Sequence, residues 1–205
     1  MACLVSRSGR QLQRYNEGCR QVVGCIPYRC KKINRSHPTY GSVVEDLQVL
    51  LVSSQKNGAL FFPKGGWEID ESMEEAALRE SREEAGLEGT VEPVLGNWRF
   101  KSRSQDKFHV GYMFPLRVTA QLDVWPEKDV RQRIWVTVNE ARSICGHLWM
   151  KEALEVFVER FHQEQQKEAA NLKPPCGLEF LTEEHRGCFN VVQDGEEGID
   201  CCVVS

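Results

Sequence analysis

The segment "GGWEIDESMEEAALRESREEAGL", residues 65–87, constrains the chain more tightly than any other stretch. Glycines bracket it, and between them eight acids stand against two bases. Ser72 followed three residues later by Glu75 is a capping-box pattern, one side chain accepting from a free helical N–H while the other reaches back. Helix formers run on to Ala85, and Gly86 supplies the left-handed residue that stops a helix. The pattern predicts a helix over 73–85. On it Ala77, Ser81 and Ala85 recur at four-residue spacing beside Leu78, a small-residue face that lets the helix approach a sheet closely. Glu80, Glu83 and Glu84 share another face. A solvated acidic face interleaves lysines at i+4, whereas only Arg79 and Arg82 stand nearby, so these carboxylates need a cation among them. An oxygen-only cluster suits Mg²⁺ or Mn²⁺, hard ions that join protein carboxylates to substrate phosphates.

Elsewhere "CRQVVGCIPYRC", "EDLQVLLVSSQ" and "GALFFPKGG" are apolar or β-branched runs of strand length, the third ending at Pro63. A basic loop, "KKINRSHPTYGS", lies between the first two. "GTVEPVLGNWRF", "KFHVGYMFPLRVTA" and "RQRIWVTV" read as further strands, and "EARSICG" and "MKEALEVFVERFHQEQQKEAANL" as helices. In the last of these Ala153, Leu154, Phe157, Val158 and Phe161 share one face. Strands with a few interspersed helices make an α/β or α+β sandwich. At 205 residues and 41% hydrophobic content the chain supports one domain with a full core. The expected organisation is an N-terminal arm at 1–13, a domain at 14–170 and an acidic tail at 171–205. From Pro174 onward Pro, Gly and acids replace any period, so a flexible tail is expected.

The net charge of −4 conceals an uneven distribution: residues 1–40 hold eight Lys/Arg and one acid, residues 163–205 nine acids and three bases. A basic arm attracts an anionic partner without choosing among nucleic acid, membrane and phosphorylated metabolite. The nine cysteines form no repeated C-x-x-C unit. Cys25 and Cys30 lack a second His/Cys pair at metal-binding spacing and read as strand cysteines. No apolar run approaches the roughly 18 residues of a membrane span, and residues 1–14 are too polar for a signal-peptide core. The expectation is an intracellular protein with reduced thiols, cytoplasmic and also nuclear.

Spacing gives the opening segment a second meaning. Gly65, five residues, Glu71, seven residues and then the run from Arg79 to Leu87 resembles the Nudix box, Gly-x5-Glu-x7-Arg-Glu-U-x-Glu-Glu-x-Gly-U with U apolar. One position departs: Ser81 stands at the first U, where the family carries a bulkier aliphatic, and a hydroxyl bonded back to a helix carbonyl is expected there. The resemblance implies a Nudix fold of the α/β class, a mixed β-sheet sandwiched between helices with a loop-helix-loop catalytic box. It implies Mg²⁺, with Mn²⁺ as the other admissible ion, held by Glu80, Glu83 and Glu84 and by the backbone carbonyl of Lys64 or Gly65. It implies an Arg79–Glu71 ion pair that holds the helix on its entry loop. A bound metal lowers the pKa of its water, so hydroxide can attack a pyrophosphate phosphorus. One of the glutamates, or a carboxylate from a later loop such as that of Glu127 and Asp129, would take the proton.

The box does not report what the diphosphate is linked to. The Pro63-Lys64-Gly65-Gly66 form, the order of strands around it and "RYNEGCRQVVGCIPYR" resemble the diphosphoinositol polyphosphate phosphohydrolases over residues 14–162, including plant and fungal members that also cleave diadenosine polyphosphates. The implied partner is a small polyphosphate acted on by a monomer, with no nucleic acid. Such a substrate, with about a dozen negative charges, needs Lys/Arg donors in place of lost hydration. Arg14, Arg20, Lys64, Lys107, Arg131 and Arg133 are candidates, with His109, Lys151 and the backbone of Gly65 and Gly66. Trp67, Trp98, Phe108 and Trp125 support the other substrate if they stack on adenine, though Trp at strand edges more often packs. A binding module without catalysis is the reading of another class. Retention of every box carboxylate argues against it, because an uncompensated acidic face repels polyanions.

At the far end Cys202-Val203-Val204-Ser205 matches a C-a-a-X box whose final Ser favours a farnesyl group, with Cys201 as a second acyl anchor. The preceding "DGEEGID" repels anionic lipids, so the expectation is a partly membrane-held fraction.

Overall fold

The structure, a computed structural model, describes residues 5–7, 9–30, 47–102 and 107–171. Within them one sheet is built around two long strands, β2 (Cys19–Cys30) and β8 (Phe108–Gln121), which run parallel in register from Arg20 opposite His109 to Tyr28 opposite Arg117. Parallel neighbours need a long crossover. Here it includes β3 (Leu47–Ser53), β4 (Leu60–Phe61), β5 (Lys64–Gly66), α1 (Met73–Ala85), β6 (Leu87–Val91) and β7 (Gly96–Lys101). The main path runs β4-β3-β2-β8-β6, with β1 (Tyr15–Asn16) and β5 on β2, β7 on β8, and β9 (Arg133–Thr137) on β3. Helices α2 (Val138–Ile144) and α3 (Leu148–Asn171) follow.

Both faces of the sheet are covered. In a strand, neighbours point to opposite sides, yet Leu50 and Leu51 are both fully buried. Along β2, Cys25 donates to the Ala77 carbonyl of α1 at 3.5 Å, while Tyr28, of opposite parity, lies 5.1 Å and 5.9 Å ring to ring from Phe157 and Phe161 of α3. The two helices therefore lie on opposite faces. The expected buried face of α3 holds: Ala153, Leu154, Phe157, Val158 and Phe161 are all in the core. Each large side chain so buried contributes about 1.5–3 kcal/mol.

Helix α1 spans the expected residues, with both capping-box bonds present at Ser72 and Glu75 and Gly86 at φ 62°. A second constraint acts on Gly86: a Cβ there would come within 2.8 Å of Trp125 and Arg133. The small face of α1 consists of Ala77, Ser81 and Ala85 together with Ala76, whereas Leu78 turns outward. The strand expected to end at Pro63 is β4, and a second short strand, β5, follows that proline; the run 89–100 divides into β6 and β7 around Pro93. Proline supplies no N–H to a ladder and stands at both breaks, although β2 and β8 carry Pro27 and Pro115 without one. Thr137 ends β9 by accepting from the Glu140 amide as the cap of α2. The basic loop at 31–46, Cys201, Cys202 and the tail from 172 lie outside the described residues. Residues 1–170 form one compact unit. The arm belongs to it, for Gln13 bridges to Glu68 and Ile69 N donates to Leu12 O. Among the described residues no helix is long and apolar enough to cross a membrane.

Candidate active site

The cap at Ser72 and the stop at Gly86 fix the length of α1, and its small face presses on the sheet, so another edge presents Arg79, Glu80 and Glu84 to a cleft of ≈ 410 Å³, while Glu83 lies beside Arg79 outside that lining. Arg79 organises this edge. Its Nε and Nη2 bond Glu71 at 2.8 Å and 2.7 Å, Nη2 also reaches the Gly66 carbonyl at 2.9 Å, and Nη1 lies 2.7 Å from Glu80 and 3.4 Å from Glu83. One guanidinium thus ties the helix to β5 and to the loop after it. Burial would lower the Arg79 pKa, but Glu71 and Glu80 outweigh it and raise it. Burial would raise Glu71, yet the Arg79 bonds and the Glu68 amide hold it below the usual range.

Glu84 sits deeper. Its Oε2 accepts from the Lys64 amide at 2.9 Å and its Oε1 from Arg131 at 2.5 Å. Burial, then the charge of Glu84, pushes Glu80 up to about 8. Burial likewise raises Glu83 and Glu84 against the pull of their cationic neighbours. Gly65 is required here, because a Cβ would stand 2.0 Å from Glu80 Oε1. The donors are oxygens of crowded carboxylates held above their ordinary pKa, which fits a hard divalent cation that favours their ionised form. Among the described residues, no three Asp, Glu, His or Cys side chains already close into a cage. Arg79 and Arg131 carry the compensating charge instead.

The expected substrate cations divide. Arg20, Lys64 and His109 line the cleft with Gly65 and Gly66. Burial lowers the pKa of Lys64 and of Arg20, and burial followed by the positive charge of Arg20 lowers His109. Five others lie elsewhere. Arg14 bonds the carbonyls of Glu68 and Ile69 and stacks on Trp67 at 4.4 Å. Arg131 bonds Ser53 O, Glu84 and Glu127. Arg133 bonds the carbonyls of Ala85 and Leu122 and stacks on Trp125 at 3.9 Å, closing the end of α1. Lys107 and Lys151 stand outside the cleft lining. None of Trp67, Trp98, Phe108 and Trp125 lines it either; the aromatic that does is Phe100, stacked on Trp149 at 4.6 Å and 8°. Sequence reasoning missed Arg7, Lys101, His147 and Phe100. For Phe100 the clue was its place opposite His109, an expected site residue, but that pairing of β7 with β8 joins separate predicted strands.

The Ser81 hydroxyl is fully buried and makes no bond back to a helix carbonyl. It packs beside Cys25, whose thiol burial pushes up to about 12. Glu127, on the loop after β8, docks on α1 through its amide to the Glu83 carbonyl at 3.1 Å.

A mixed sheet between helices, with a glycine-flanked acidic helix opening onto a cationic cleft, defines the fold as the Nudix type. The sequence matches the NUDIX domain over residues 35–159, and the chain belongs to that family. It is 59% identical over 160 residues to "Nudix hydrolase 17, mitochondrial" of Arabidopsis thaliana, covering 78% of this chain and 85% of that protein. It is 32% identical over 130 residues to "Diphosphoinositol polyphosphate phosphohydrolase 3-beta" of Bos taurus, covering 62% and 70%. A NUDIX hydrolase structure from Nitrosomonas europaea superposes with a TM-score of 0.54 at 18% identity, over 69% of this chain and 89% of that one. The chain is a Nudix hydrolase, of a family that acts on phosphoanhydrides with Mg²⁺ or Mn²⁺.

Proposed function

We propose that this hydrolase removes the β-phosphate of an inositol pyrophosphate, releasing orthophosphate. The observation that carries the reading is the two-sided cleft: Glu80 and Glu84 on one wall, Arg20, Lys64, Lys101 and His109 around it. Mg²⁺ bound by Glu80, Glu83 and Glu84 would supply Lewis acidity and an acidified water. The chain's own cations bind and orient the polyanion, the Lys64 amide and Arg131 fix Glu84, and Arg79 with Glu71 fixes the helix on its entry loop. Glu127, aligned by three donors, is the candidate proton acceptor. The similarity to the bovine protein of that name adds support.

A second reading, cleavage of diadenosine polyphosphates, is favoured by Phe100, which offers the cleft an aromatic wall. Turnover of an inositol pyrophosphate against diadenosine hexaphosphate, with Mg²⁺ and with a chelator, decides. Higher kcat/KM on the dinucleotide would overturn the first reading. Metal-independent binding without turnover of either would point to a module. The working form is proposed to be a monomer of the cytoplasm and nucleus. Subcellular fractionation tests the compartment, with the organelle in the Arabidopsis relative's name as the other outcome.

A further inference from the structure

Residues 5–7 and 9–14 lie along the loop that follows β5, and residues 5–7 end on the site carboxylates. The pairing begins at Arg14 N to Trp67 O and continues through Ile69 N to Leu12 O. It closes at Arg7, whose Nη1 bonds Glu68 at 2.6 Å and Asp70 at 3.1 Å. So anchored, the chain turns two donors inward. The Arg7 amide donates to Glu83 Oε1 at 3.2 Å, and the Ser6 hydroxyl to Glu127 Oε1 at 3.1 Å.

These two acceptors belong to different elements. Glu83 is on α1 and Glu127 on the loop after β8, joined by the Glu127 amide bond to the Glu83 carbonyl. The far oxygen of Glu127 accepts from Arg131 at 2.5 Å and from Gln55 at 3.1 Å. Ser6 is thus the donor to the oxygen that Arg131 and Gln55 leave. Both arm donors are neutral. They orient a carboxylate without taking its charge, leaving it able to meet a metal or a proton, whereas the guanidinium of Arg79 or Arg131 compensates that charge.

We propose that residues 5–7 are a strap completing the active site, with Ser6 and the Arg7 backbone as positioning residues for Glu127 and Glu83. The inference rests on the hydrolase reading above for its catalytic consequence, and on geometry for the contact. A carboxylate free to rotate away from its reacting geometry loses rate, and a hydroxyl holding one of its two oxygens limits that rotation.

The test uses the full chain. Ser6→Ala is expected to lower kcat about 5-fold with KM within about twofold, and Ser6→Thr, which keeps the hydroxyl, to restore it. In the Glu127→Gln background Ser6→Ala should lower kcat no further, because the two act through one bond. Wild-type kcat in Ser6→Ala, or an equal loss in both backgrounds, overturns the proposal. A readout independent of turnover separates the Arg7 amide from its side chain. Arg7→Pro removes the N–H and Arg7→Ala keeps it, so Mn²⁺ titrated by electron paramagnetic resonance should bind about threefold more weakly to the Pro variant. Equal affinities, including no binding by either, overturn the strap. If instead the wild type cleaves no phosphoanhydride while the two variants differ in Mn²⁺ affinity, the substrate reading fails and the strap stands.

Discussion

Arg131 clamps Glu84 to the loop after β8: its Nη2 lies 2.5 Å from Glu84 Oε1 while its Nε lies 2.5 Å from Glu127, and both partners are nearly buried. A cation among carboxylates is what the acidic helix requires, and Arg131 supplies one. Removing Arg131 takes the guanidinium from Glu84 and leaves the charge of Lys64 to compensate it in a low-dielectric site. Arg131→Met is therefore expected to lose about 3 kcal/mol of stability in a chelator. Mg²⁺ should then raise the melting temperature of the variant more than that of the wild type. Thermal melts with chelator and with Mg²⁺ check this; an equal Mg²⁺ shift in both proteins would contradict it.

Glu84 accepts from a backbone amide and a guanidinium on its two oxygens, so a glutamine retains its shape but neither its charge nor its affinity for a hard cation. Glu84→Gln should lose about 4 kcal/mol of transition-state stabilisation, roughly 10³-fold in kcat, with the fold intact. Steady-state kinetics at saturating Mg²⁺, beside far-ultraviolet circular dichroism, measure both. Wild-type turnover in the folded variant would remove the ligand assignment.

The Glu71 carboxyl is held below its ordinary pKa, so its contribution to stability is present above about pH 4.5, the unfolded value, and is lost as pH falls through the folded one. Glu71→Gln should cost about 2 kcal/mol at pH 7, because Arg79 loses its charged bidentate partner while keeping Glu80 and the Gly66 carbonyl. The gap between variant and wild type should narrow as pH drops from 5 toward 3. Urea melts across that range test the sign, and a gap that widens in acid would refute it.

The buried Ser81 hydroxyl bonds no helix carbonyl and has the Cys25 thiol, a weak partner, beside it. Alanine is the better helix former. Ser81→Ala is expected to stabilise the protein by about 0.5 kcal/mol in chemical denaturation. A loss of about 1 kcal/mol would mean that the contact with Cys25 outweighs helix propensity.

The reach of the sequence can be judged on particular elements. Helix α1 was legible to the residue, because capping, helix propensity and a left-handed glycine act within one turn of the chain. The buried face of α3 was equally legible, because a period of 3.6 residues marks it, and β2 was legible as one apolar run, since a strand covered on both faces buries consecutive residues. The end of β4 before Pro63 was expected, but the short β5 beyond it and the break of the run 89–100 at Pro93 were not, because prolines also stand inside unbroken strands, Pro27 in β2 and Pro115 in β8.

The sequence by itself determined the acidic helix and the family; the tertiary structure alone decided which cations and aromatics face it. Arg133 is a cation by sequence, yet it meets carbonyls at Ala85 and Leu122, while Arg7, far from the box in the chain, is brought against Glu68 and Asp70 by the pairing of the arm. Arg20 and His109 meet because β2 and β8 lie parallel across a crossover of some eighty residues. Local rules fix dihedral angles over a few residues. The destination of a long charged side chain is set by whichever acceptors the closed sheet brings within its reach, a property of the packed whole that no window of sequence contains.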